Sequence, residues 1–240
     1  MCAVLEALSI LGRETARIVL HASCVVCDRE LPWRDRKASC CGGCWSALPK
    51  ITGAKCDSCA MPWSAGGAGF RCIACLDDPL PVGWTEAWGH YRGSLERLLH
   101  AFKFERHDFL DAPLAELLES VVRDSDFDAI VPVPMHRSKL RQRGYNQAEL
   151  LGRALAKRLR IPCEPSMLRK RVERSAQSTL ARSDRAANVR GVFAASPDAR
   201  ERSILIVDDI CTTAETLRAC AHALLSGNAS RVCAVIVAKA

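Results

Sequence analysis

The sequence predicts an α/β protein: a parallel sheet flanked by helices and preceded by a small Cys-rich, zinc-binding module. Three observations carry this expectation. An aliphatic run, Ile204, Leu205, Ile206 and Val207, ends in Asp208 and Asp209 and leads through Thr212, Thr213 and Thr216 into an Ala- and Leu-rich stretch. Such a run fits a buried parallel strand followed by a helix. Residues 128–134 and 231–238 are further runs of the same kind. Ahead of them lie eight cysteines in four C-x-x-C pairs, a pattern that in an intracellular chain reads as metal binding, not as disulfides.

Composition bounds the remaining choices. The chain has 240 residues, room for one or two domains, and its 49% hydrophobic content is enough for a core. Net charge is +7, but residues 136–190 carry 15 Lys/Arg against 4 Asp/Glu, or +11, leaving −4 elsewhere. A basic stretch of that kind suits phosphate-bearing partners; it equally suits a solvated helix face and loop. Aromatics are scarce at 5%, which weakens any case for base stacking. No apolar run is long enough to cross a membrane. Glu6, Arg13, Glu14 and Arg17 interrupt the apolar N-terminus, which argues against a signal peptide. The expectation is a cytoplasmic protein without membrane insertion.

Residues 1–22 read as an amphipathic helix, with Val4, Leu5, Leu8, Leu11, Ile18 and Val19 on one face. Residues 23–80 form the double zinc-knuckle module. Cys24-x-x-Cys27 is followed by Cys41-x-x-Cys44, with Cys40 a rival for Cys41; then Cys56-x-x-Cys59 is followed by Cys72-x-x-Cys75. Two such knuckles give tetrahedral Cys₄ coordination, and four provide for one or two structural zinc ions. Sequential pairing is the simpler assignment, and a cross-braced pairing remains open. With few apolar residues beyond Trp33, Trp45 and Trp63, the module depends on metal for much of its folding energy.

Residues 84–240 form the main domain. Residues 84–91 read as an edge strand. Residues 93–104 read as a helix with Leu95, Leu98, Leu99 and Phe102 on one face, and Lys103 sits in its A-F-K-F end. A helix over 112–122 presents Leu114, Leu117, Leu118 and Val121, and residues 128–134 form a buried strand ending in prolines. The basic segment 135–147 follows, then a helix over 146–159 with Leu150, Leu151, Leu155 and Leu159 inward. Residues 166–172 fit a strand. Residues 173–190 are polar and basic without a period, and fit either a closing loop or a plain surface excursion. The helix after Thr216 runs through Leu217, Ala221, Leu224 and Leu225 to a cap at Gly227-Asn228.

The 203–216 stretch resembles the phosphoribosyl-pyrophosphate motif of type I phosphoribosyltransferases, a hydrophobic run followed by D-D-x-x-T-T-G-x-T. Ala214 stands at the usual Gly and Glu215 where a small residue is usual. The P-V-P of residues 132–134, the R-x-R-G-Y-N-Q of 141–147, the A-F-K-F of 101–104, the C-x-x-C module, and Gln177 with Arg185 to Asn188 together resemble the ComF family of competence-associated, phosphoribosyltransferase-like proteins. The resemblance implies a type I phosphoribosyltransferase-like sheet and a phosphoribosyl pyrophosphate substrate with magnesium. It implies that Asp208 and Asp209 hold the ribose hydroxyls or the metal as the catalytic pair. Thr212, Thr213, Ala214, Glu215 and Thr216 then form the 5′-phosphate loop, and His136, Arg137 and Lys139 face the pyrophosphate.

Two uses of such a chain are open on sequence. One is a transferase that moves ribose phosphate to an acceptor, in DNA uptake, natural transformation or DNA utilisation. The other is a non-catalytic module on a degenerate transferase fold, engaging single-stranded DNA or docking other competence proteins.

Overall fold

The computed structural model describes residues 23–31, 39–63, 67, 69–105, 107–171 and 191–240. The expected helix over 1–22 and the polar segment 173–190 lie outside the described residues, as does Trp33.

The cysteine module holds two short helices, α1 (Gly42–Ser46) and α2 (Ile73–Asp77). It is an internal duplication. Cys24 and Cys27 recur 32 residues later as Cys56 and Cys59; Cys41 and Cys44 recur 31 residues later as Cys72 and Cys75. The hydrogen bonds recur too. Cys24 N–H donates to Arg29 O and Cys56 N–H to Met61 O, both at 2.8 Å. Asp28 and Ala60 close their turns onto Cys24 O and Cys56 O, also at 2.8 Å, and both have positive φ, 59° and 57°.

After the cysteine segments come β1 (Thr85–His90), α3 (Gly93–Phe104), α4 (Asp111–Glu119) and β2 (Ala129–Pro132). Helix α3 has the expected bounds, and Leu95, Leu98, Leu99 and Phe102 are all buried. Each such side chain contributes about 2 kcal/mol of burial. Helix α4 stops before Val121, which is half-buried beyond it. The segment after β2 contains a helix that its sequence does not advertise, α5 (Arg137–Arg143), capped by His136 and ended by Gly144 at φ 89°. Helix α6 (Gln147–Leu159) buries Leu151 and Leu155, while Leu150 and Leu159 are half-buried. Then come β3 (Leu168–Lys170), β4 (Phe193–Ala195), β5 (Ser203–Cys211), α7 (Glu215–Ser226) and β6 (Arg231–Lys239).

Four strands form one parallel sheet in the order β1-β6-β5-β2, and β3 and β4 form a separate antiparallel pair. Strand β5 is longer than its aliphatic run suggests. It passes the two acids and pairs with β6 as far as Cys211–Lys239, whereas β2 ends opposite Val207. The acids therefore lie on a one-sided overhang at the C-terminal edge of the sheet. Alternation divides the core. Val131, Ile204, Ile206 and Ile236 face α7, and Ile130, Leu205, Val207 and Val235 lie in the cluster that includes α3, α4 and α6 side chains.

The two cysteine repeats straddle the sheet. Cys56, Cys59 and Cys75 belong to the first of these clusters, and Cys24 and Cys40 to the second. The link between repeats lies along β1: Ile51 N–H donates to Trp88 O at 3.0 Å and His90 N–H to Pro49 O at 2.8 Å. Gly89 permits this approach, since a Cβ there would sit 2.6 Å from Leu95 and 2.9 Å from Pro49 O. Buried Glu86 accepts from Lys55 and from Arg123, and Arg123 also reaches Asp57 at 2.6 Å. The module thus covers the β1 edge of the sheet.

Candidate functional site

The cysteines gather into two groups, Cys24, Cys27, Cys41, Cys44 and Cys56, Cys59, Cys72, Cys75, with all sulfurs of a group within 4.8 Å of one another. Pairing is sequential, and Cys41 is the member, not Cys40. Cys40 is buried, its thiol turned toward Cys41 O at 3.6 Å; burial and the neighbouring Cys24 push it up to about 12. The Cys27–Cys41 and Cys59–Cys72 sulfurs are 3.8 and 3.7 Å apart. A tetrahedron of sulfurs about 2.3 Å from zinc has edges of about 3.8 Å, so both donor sets fit a structural zinc ion. Main-chain donors prepare them. Cys41 N–H reaches Cys24 Sγ, and Cys72 N–H reaches Cys56 Sγ, each at 3.3 Å. Burial raises the Cys24 thiol, yet these N–H groups outweigh it and bring it down to about 6, and Cys56 likewise to about 7.

The second constellation lies at the end of β5. Asp209 is buried and Asp208 half-buried. Asp209 N–H donates to Asp208 Oδ1 at 2.9 Å. Burial, and then the charge of Asp209, push the Asp208 carboxyl up to about 8. The loop that follows exposes Thr212, Thr213, Glu215 and Thr216 and buries Ala214. Ala214 caps α7 in the left-handed region, φ 63° and ψ 3°. The loop thus takes a glycine conformation with an alanine in it. Lys239 secures the loop from beneath, donating from Nζ to Cys211 O at 3.3 Å and to Thr212 O. Exposed hydroxyls and free N–H groups at a helix N-terminus form a cradle for an anion. Glu215 adds a negative charge to its rim.

His136, Arg137 and Lys139 follow β2, the parallel neighbour of β5, and so share its edge of the sheet. His136 accepts the Ser138 N–H at 3.3 Å. His136 and Arg137 line a cavity of about 870 Å³ with Arg169, Lys170 and Arg171. Lys139 is exposed and does not line it.

Sequence reasoning gave Lys103 no role. Its Nζ lies 3.1 Å from Asp209 Oδ2, with 20% and 9% of the two side chains exposed. The R-G-Y-N-Q turn holds the end of α3 that carries it. Tyr145 donates to Phe102 O at 2.5 Å and Gln147 Nε2 to Lys103 O at 3.3 Å. Arg143 lies 4.7 Å over the Phe104 ring and donates to Gln147 Oε1 at 2.8 Å. Asn146 caps α6 and donates to Val133 O at 3.0 Å. The available signal was the pairing of A-F-K-F with R-G-Y-N-Q as two marked motifs; their contact is tertiary. With Lys103 seated on Asp209 and Asp208 favouring its proton, the acid pair as it stands does not fit a divalent ion.

Among the described residues, no helix is long and apolar enough to cross a membrane.

A family model described as a phosphoribosyl transferase domain matches residues 146–240. Competence protein F of Haemophilus influenzae is 34% identical over 139 residues, covering 54% of this chain and 61% of that protein. The chain thus spans less than two thirds of that relative. The DNA utilization protein YhgH of Salmonella typhi is 30% identical over 184 residues, 74% of this chain and 80% of that protein. Competence protein ComFC of Bacillus subtilis is 27% identical over 228 residues, 87% of this chain and 91% of that protein. The fold is a phosphoribosyltransferase-type parallel sheet with helices, joined to an N-terminal cysteine cluster with two possible metal sites.

Proposed function

The chain belongs to the ComF family, and on that premise we propose that it binds phosphoribosyl pyrophosphate at the end of β5 and acts in DNA uptake or DNA utilisation. One observation carries the reading: two acids on the β5 overhang are followed at once by an exposed threonine loop at the N-terminus of α7. Carboxylates recognise vicinal hydroxyls, and the loop suits a 5′-phosphate. A sugar phosphate carries both groups. The names of the relatives, competence and DNA utilisation, supply the cellular setting.

A transfer reaction at this site breaks the bond from C1 of the ribose to the pyrophosphate oxygen. Pyrophosphate leaves with the electron pair while a nucleophilic acceptor bonds to C1. Cationic side chains near the leaving oxygen stabilise its growing charge; Arg137, in the segment that follows β2, supports this reading.

The test is calorimetric titration of the zinc-loaded protein with phosphoribosyl pyrophosphate and magnesium. One-to-one binding, lost in Asp208→Asn with Asp209→Asn, is the expected result. Affinity unchanged in the double variant would remove the site from the acid pair.

The cavity lined by Arg137, Arg169, Lys170 and Arg171 favours a second reading, in which single-stranded nucleic acid lies along the basic side of the domain. Phosphate contacts release counterions, so that binding would weaken steeply with salt. Docking to another protein would not follow the same slope.

A further inference from the structure

Adjacent carboxylates at a strand end ordinarily invite a divalent cation, because nothing else nearby cancels their charge. Here the place is taken. Lys103 Nζ is 3.1 Å from Asp209 Oδ2, and both side chains are largely withdrawn from water. The pair is held from outside the site. Tyr145 and Gln147 bond to the carbonyls of Phe102 and of Lys103 itself, and Arg143 covers the next ring, Phe104. A lysine that pivoted freely would yield to a metal; this one sits on an anchored helix end. Asp208, for its part, spends one oxygen on the Asp209 N–H. A charge-assisted contact in such surroundings is considerably stronger than a surface ion pair.

We propose that Lys103 is the resident cation of the acid pair. Its ammonium stands where a divalent ion would otherwise sit, so that Asp208 and Asp209 take the vicinal hydroxyls of a pentose phosphate with no metal between. The sugar part of this inference rests on the reading under Proposed function; the exclusion of metal by Lys103 does not. Magnesium then enters only with the pyrophosphate of the substrate and leaves the diol end of the site alone.

The two parts are tested separately. Manganese is titrated into zinc-loaded wild type, Lys103→Met, Lys103→Arg and Lys103→Met with Asp209→Asn, and followed by the loss of its free-ion paramagnetic resonance signal. Lys103→Met is expected to gain one manganese site that the added Asp209→Asn removes; wild type and Lys103→Arg are expected to have none at the same concentrations. Manganese bound by wild type as tightly as by Lys103→Met, or no gain in Lys103→Met, overturns the proposal. The wild-type titration holds whatever the variants do to folding. Ribose 5-phosphate, which has the diol and the phosphate but no pyrophosphate, is then titrated into wild type in metal-depleted buffer and with added magnesium. Equal affinity is expected, and tightening by about tenfold or more with magnesium overturns metal-free recognition. Absence of ribose 5-phosphate binding in both buffers sinks the sugar-phosphate reading and with it the recognition half of the proposal. The manganese result still decides the role of Lys103.

Discussion

Tyr145 donates its hydroxyl to the main-chain carbonyl of Phe102 at 2.5 Å, joining the turn before α6 to the end of α3. That carbonyl belongs to the last turn of a helix, where no intrahelical N–H remains to satisfy it. The bond therefore serves stability and also fixes the position of Lys103 one residue on. Tyr145→Phe keeps the ring contact with Phe102, whose centroid lies 6.5 Å away, and removes only the hydroxyl. Chemical denaturation should show a loss of about 1–2 kcal/mol, and phosphoribosyl pyrophosphate should bind several-fold more weakly. Full stability with full affinity would mean that the turn does not position the lysine.

Asp208 should cost the fold stability as pH rises. Its carboxyl is held above the ordinary 3.8, at about 8, by burial and by Asp209. Between these values the folded chain keeps a proton that the unfolded chain releases, so stability falls with pH across that window and levels off above it. Asp208→Asn cannot titrate. It should melt higher than wild type near pH 9 and nearly level with it near pH 4, by thermal unfolding at matched ionic strength. A difference independent of pH would place the carboxyl in a more solvated setting.

Much of this was legible in the chain. Strand β5 follows from four consecutive aliphatics, α3 from the spacing of Leu95, Leu98, Leu99 and Phe102, and the metal groups from C-x-x-C. What was not legible depends on tertiary pairing. The extension of β5 to Cys211 comes from β6 supporting one side after β2 has stopped. Helix α5 has only Leu140 among charged and polar residues, and local caps at His136 and Gly144 set its ends. The choice of Cys41 over Cys40 turns on which thiol points out of the core. The grip of Tyr145 and Gln147 on α3, and through it the Lys103–Asp209 contact, joins three distant segments whose register no local pattern encodes.

Ala214 and Glu215 act on stability in opposite directions. Ala214 holds φ 63°, a region that disfavours a Cβ by about 1 kcal/mol. Ala214→Gly should therefore stabilise the protein by about that amount. Glu215 is the first residue of α7, where a negative charge interacts favourably with the helix dipole by about 0.5 kcal/mol. Glu215→Ala should cost that much stability and yet tighten phosphate binding, since the same N-terminus is freed for the ligand. Denaturation and ribose 5-phosphate titration on the two single variants separate the effects. A Glu215→Ala variant that binds no better would leave the phosphate with another seat.

The last prediction concerns adjacent cysteines with different duties. Cys41 lies with Cys24, Cys27 and Cys44, and its counterpart in the second repeat is Cys72. Cys40 faces the core, and the second repeat has Arg71 at that place. A position that the duplication does not preserve is not required for coordination. Cys40→Ala should keep two zinc equivalents on metal analysis and lose only packing, about 1–2 kcal/mol for a small buried side chain. Cys41→Ala and Cys72→Ala should each fall to one equivalent, because a three-thiol remnant binds zinc far less tightly. Both should also melt lower, since Cys24 and Cys56 contribute to the core on the two faces of the sheet beside β1. The reverse result, zinc lost with Cys40→Ala and kept with Cys41→Ala, would exchange the two assignments.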